Sequence, residues 1–164
     1  MYRSCASLAT ALVLAGTAPA FAASEFTHEG WKGQVAFTDG KFRQCLMWAS
    51  AINNYDVGFS LDGAGELRLG LRSTKLDQTW PMIFKMKTAL RIQLDQGPVL
   101  TKAFTSVSPT LLSTSLKGTD WDKRLADADL LRINTGTRVR QFHLTGIKAA
   151  MGKLRACAAK HRAA

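Results

Sequence analysis

Glu66-Leu-Arg-Leu-Gly-Leu-Arg72 decides the fold class of this chain. In an extended segment Leu67, Leu69 and Leu71 share one face while Glu66, Arg68 and Arg72 share the other, the period of two that marks a half-buried strand. Such a strand suits an antiparallel sheet with one face on a core and one toward water. Immediately upstream, Val57-Gly-Phe-Ser-Leu61 runs into Asp62-Gly-Ala-Gly65, so the two segments form a hairpin. Trp31 to Thr38, Asp39-Gly40 and Phe42 to Ser50 repeat the arrangement, with Asp-Gly as the turn.

The same pattern extends downstream. Trp80 to Met86 and Thr88 to Leu94 read as strands, with Asp95-Gln-Gly-Pro98 as a turn. Val99 to Val107 and Leu111 to Leu116 follow, and Leu131 to Asn134 and Arg138 to Leu144 flank the turn at Asn134-Thr-Gly136. Two segments change the period. Thr119 can cap a short helix from Asp120 to about Leu130, with Asp120 and Asp122 near its N-terminal dipole. From Ile147 to about His161, residues Ile147, Ala150, Met151, Leu154, Cys157, Ala158 and His161 fall on one helical face. The expected fold is β-dominated, an antiparallel sandwich or curved sheet, with a short helix and a C-terminal helix packed on it.

The N-terminus sets the compartment. Arg3, the apolar run Leu8 to Gly16 and Ala20-Phe-Ala22 have the order of a cleaved secretory signal, with cleavage before Ala23. The apolar run is far short of the ~20 residues that span a bilayer, and no later segment is long enough either. Residues 1–22 are therefore expected to be removed, leaving 23–164 as one domain in the periplasm or outside the cell. Cys5 leaves with the signal. Cys45 and Cys157 then form an even pair in an oxidising compartment, which predicts a disulfide closing a loop of about 112 residues; two buried free thiols are the alternative. Cys157 lies on the core side of the last helix, where an early strand could present Cys45.

Of 22 Lys and Arg and 12 Asp and Glu, only Arg3 is lost with the signal, so the mature chain carries +9. Outside the cytosol this charge points away from nucleic acid and toward an anionic envelope component or an acidic protein, or it serves solubility alone. The last helix concentrates it. Lys148, Arg155 and Arg162 recur every seven residues along one flank, Lys153 and Lys160 line the other, and Ala149, Gly152, Ala156 and Ala159 lie between. Arg138 and Arg140 project from the preceding strand. These cations are either a shelf for an anionic partner or stems covering the margins of a core-docked helix.

Catalytic and metal chemistry find little footing. His28, His143 and His161 have no partner at ligand spacing, so neither a metal nor a cofactor is expected. Asp62-Gly-Ala-Gly-Glu66 fits no EF-hand. Asp120/Asp122 and Asp127/Asp129 are spaced so that neither pair converges on one atom of a helix surface. There is no Gly-x-Ser-x-Gly or Ser-x-x-Lys pattern. A hydrolase-like site assembled across strands around His143 or His28 remains the alternative to a binding protein. Trp31, Trp48, Trp80 and Trp121 either pack in the core or, beside cations such as Lys32, Arg43 and Lys123, stack at an interface.

Three segments between Thr88 and Cys157 carry a family resemblance: Leu-Arg-Ile-Gln-Leu-Asp95, Trp121-Asp-Lys-Arg-Leu-Ala-Asp-Ala-Asp-Leu-Leu131, and Phe142 to Cys157 (FHLTGIKAAMGKLRAC). Together they resemble the invasion-associated locus B family and related exported proteobacterial proteins. The shared spacing L-x-G-x-x-x-A-x-x-x-L falls on Leu144, Gly146, Ala150 and Leu154. The resemblance implies a β-rich periplasmic or envelope-associated protein and assigns no catalytic residue.

Overall fold

The computed structural model describes residues 23–50, 54–74, 87–117, 120–136 and 138–162. The segment expected to be a signal, the strand expected at Trp80 to Met86 and the Thr119 cap expected for the short helix lie outside these residues. Among the described residues there are ten strands: β1 (Ala23–His28), β2 (Trp31–Thr38), β3 (Lys41–Ser50), β4 (Tyr55–Asp62), β5 (Leu67–Ser73), β6 (Lys87–Leu94), β7 (Leu100–Ser108), β8 (Leu111–Ser115), β9 (Leu130–Asn134) and β10 (Val139–His143). Helix α1 (Trp121–Ala126) precedes β9, and α2 (Ile147–Arg162) follows β10. The strands form one sheet in the order β1-β2-β3-β4-β5-β8-β7-β6-β9-β10, with every pairing antiparallel. Of the two expected forms, the protein takes the single sheet. β1 is a strand that the sequence pattern did not single out.

Turn chemistry explains the meander. Asp39 (φ 51°) and Gly40 (φ 72°) both sit in the left-handed region, as a two-residue type I′ hairpin requires. In the next hairpin the Asp62 carboxylate accepts the backbone N–H groups of Ala64 (2.9 Å) and Glu66 (2.8 Å). This ties the loop to itself and sets the register Leu61↔Leu67.

The sheet curves until its ends share one core. The Trp31 indole N–H at the start of β2 donates to the Thr145 carbonyl just past β10, 2.9 Å away. Phe59, Leu69, Leu71, Ile92, Phe104, Leu131 and Ile133 fill the interior, all essentially inaccessible. On α2 the face expected from the period is the buried one: Ile147, Ala150, Met151, Leu154, Cys157 and Ala158. Cys157 is disulfide-bonded to Cys45 of β3, with 6.1 Å between Cα atoms. Gly146 at the start of α2 must be glycine, because its φ is +71° and an added Cβ would lie 2.3 Å from the Glu29 carboxylate.

α1 ends at Ala126, several residues short of the expected Leu130. The Asp95 carboxylate accepts the N–H groups of Asp129 (3.1 Å) and Leu130 (2.9 Å). This hands the chain to β9, which pairs with both β6 and β10. Two strand partners outweigh another helical turn.

Candidate functional site

The cationic side of α2 keeps part of its expected form. Lys148, Ala149, Gly152, Lys153, Arg155, Ala156, Ala159, Lys160 and Arg162 are all exposed, and α2 carries no acidic residue. The cations are not equivalent. Arg155 Nη2 lies 3.1 Å from the Asp122 carboxylate of α1. Arg162 donates to the Asp62 carbonyl at 2.8 Å, bracing the end of the helix on the β4–β5 turn. Lys160 (3.3 Å) and His161 (2.9 Å) both meet the Glu25 carboxylate of β1. The His161 bond, more than the Lys160 one, holds the Glu25 carboxyl below its ordinary value of 4.5. Lys148 and Lys153 have no ion-pair partner among the described residues.

The two candidate arginines before α2 also differ. Arg138 is exposed beside the β9–β10 turn, where its carbonyl accepts the Thr135 N–H. Arg140 is a structural brace: its guanidinium lies 4.1 Å from the Tyr55 ring centroid and donates to the Tyr55 hydroxyl at 3.1 Å.

The histidines stand apart from one another. His28 is 3.8 Å from the Glu29 carboxylate, and His143 is exposed on β10 opposite Leu130. His161 stacks on Phe42 and meets Phe37 edge-on. Glu25, Cys157 and His161 bring donor atoms within 4.8 Å of one another, but the Cys157 sulfur is consumed by the disulfide. Two donors are too few for a metal centre.

A second feature, which the sequence reading missed, lies on the sheet face turned away from α2. A half-open trough of about 780 Å³ runs across β3, β4, β5 and β8. Its origin is residue size. Register places Trp48, Gly58, Gly70 and Ser113 in one row across the four strands, and Leu46, Ser60, Arg68 and Ser115 in the next. Gly58, Gly70, Ser60 and Ser113 leave room across the strands, and Leu46, Trp48, Arg68, Leu111 and Val107 are among the larger residues that line it. Trp48 lies flat over both glycines; a Cβ at Gly58 would sit 2.3 Å from its ring and one at Gly70 2.8 Å. Arg72 covers the indole at 4.7 Å and is held in turn by the buried Asp56 carboxylate, 3.0 Å from its Nε.

Arg68 is braced from behind. Its Nη1 donates to Glu66 at 2.7 Å and its Nε to the Ser113 hydroxyl at 3.3 Å. Glu66 also meets Lys117 at 2.6 Å. Hydrogen bonds from Lys117 and then from Ser115 keep the Glu66 carboxyl below 4.5, so it stays ionised and holds the arginine. Two of the five guanidinium N–H groups are engaged, leaving three for a ligand.

Trp31 and Trp121 are core residues, at 1% and 2% exposure. The cations near Trp48 and Trp121 are Arg72, Arg124 and Lys102 rather than Arg43 and Lys123. Trp80 lies outside the described residues.

Comparison with protein-family models, with curated proteins and with solved structures finds no match. Leu144, Ala150 and Leu154 form a packing unit, buried around the turn at Gly146.

Proposed function

We propose that this is an exported, non-enzymatic protein of the periplasm or envelope that engages an anionic partner or surface through the outward side of α2. One observation carries this reading. A sixteen-residue helix exposes five cations and no carboxylate, and Lys148, Lys153 and Arg162 are not neutralised by an ion pair among the described residues. The outward back between the flanks holds Ala149, Gly152, Ala156 and Ala159, so an opposing surface can approach without displacing long side chains. Export is supported by the signal-like N-terminus and by the Cys45–Cys157 disulfide.

Arg155 and Arg162 do structural work, so Lys148 and Lys153 are the residues to test. Each lysine near an anionic membrane is worth about 1 kcal/mol, screened by salt. Lys148→Glu with Lys153→Glu is expected to weaken binding to phosphatidylglycerol vesicles by roughly tenfold or more at low salt. The melting temperature should stay within about 2 °C, as for other surface substitutions. Equal binding by wild type and variant removes the basis for the reading.

A further inference from the structure

We infer that the trough on the face opposite α2 is a separate binding site for an acidic saccharide, with Arg68 taking the carboxylate. Four features of the trough converge on this class. Its volume of about 780 Å³ lies in the range of small-molecule sites, large enough for a short oligosaccharide and too confined for a protein surface. Its lining alternates in chemistry. Leu46, Val107 and Leu111 present apolar groups, while Gln44 and Ser60 present an amide and a hydroxyl. A sugar ring has the matching division, a C–H face and a rim of hydroxyls. A fatty acyl chain would bury the Gln44 amide and the Ser60 hydroxyl against hydrocarbon, at a cost for each.

The charge pattern favours a single carboxylate. Arg68 keeps three N–H donors in the planar fork that fits a carboxylate, and its own bonds to Glu66 and Ser113 fix it before any ligand arrives. Arg43 adds a second cation to the lining, but Asp62 lines the trough as well and Glu66 stands behind Arg68. A phosphate dianion would meet two carboxylates with little surplus positive charge to offset it. The floor is made of strand backbone, small side chains and the Trp48 ring held between two glycines and Arg72, so little ordering is needed on binding.

The test is calorimetric titration of the mature protein with tetragalacturonate, with maltotetraose, a tetraglutamate peptide and inorganic phosphate as comparison arms. Tetragalacturonate should bind and maltotetraose should bind at least tenfold more weakly. Arg68→Met should weaken uronate binding by at least tenfold. Ser60→Trp, which fills the floor beside Arg68, should abolish it while circular dichroism stays unchanged. Lys148→Glu with Lys153→Glu should leave it unaltered, which separates this site from docking through α2. Absence of uronate binding, equal binding of maltotetraose, tighter binding of the peptide or phosphate, or indifference to both trough variants would each overturn the proposal.

Discussion

The two faces of β3, β4 and β5 are built from the same residues taken alternately, yet they do opposite things. On the inner face Cys45, Met47, Val57, Phe59, Leu69 and Leu71 are apolar and buried, and α2 is bolted to them by the disulfide. On the outer face Leu46, Trp48, Gly58, Ser60, Arg68 and Gly70 are mixed in size and polarity, and a trough results. The inner face is determined by hydrophobicity and tolerates few alternatives. The outer face is determined by a size pattern, with a tryptophan laid over two glycines. Alternation assigns residues to faces, but it does not say whether a face is flat or grooved.

The largest expected effect lies on the inner face. Cys45→Ser removes a cross-link closing 112 residues and should cost about 5 kcal/mol on the chain-entropy account. By calorimetry this appears as a fall of roughly 10–20 °C in melting temperature. A fall of only one or two degrees would mean that packing of α2 alone holds the inner face. Gly58→Ala probes the outer face. Its methyl group would meet the Trp48 ring at 2.3 Å, so the indole must move. The expected cost is about 1–3 kcal/mol, read by urea denaturation with a change in tryptophan emission. If Gly58→Ala proved more costly than Cys45→Ser, the outer face would be the more constrained of the two.

Arg162 connects the faces, since it leaves α2 to reach the Asp62 carbonyl at the end of the trough. Arg162→Ala should lose about 0.5–1.5 kcal/mol. A larger loss would show that the trough end depends on the helix. The smallest effect belongs to Glu25, whose pairing with His161 and Lys160 fastens α2 to β1. Its folded-state carboxyl is held below 4.5, so the stability it contributes is present above that value and lost as pH falls through the folded one. Glu25→Gln should therefore cost at most about 1 kcal/mol near neutrality. The difference from wild type should vanish as pH is lowered well below 4.5. A difference that persisted there would point to packing rather than charge.

Much of the fold could be read from the chain because its cues are local. Asp39-Gly40 and Asp62 to Gly65 place their turns through φ and side-chain acceptors, and the apolar positions of α2 repeat at the helical period. β1 was missed because Ala23–His28 has one partner strand and a shifted register between Ser24 and Phe26, which blurs alternation. α1 was drawn too long because its end is set by Asp95, some thirty residues upstream. The same distinction governs the sites. The exposed helix cations follow from spacing alone, but the bracing of Arg140 by Tyr55 and of Arg162 by Asp62 depends on contacts 85 and 100 residues apart. The trough needs the register of four strands at once, and no single window of sequence contains it.

The Cys45–Cys157 bond also bears on the order of synthesis. Cys45 emerges 112 residues ahead of its partner, which at ordinary elongation rates is an interval on the order of ten seconds. Throughout that interval the bond of the folded protein cannot form, because its other half lies in the last helix. A chain cut short of Cys157 is left with an unpaired thiol on β3 and without the helix that covers it. An accessible thiol at Cys45 thus marks truncated chains, and thiol trapping read at that residue would separate them from finished ones.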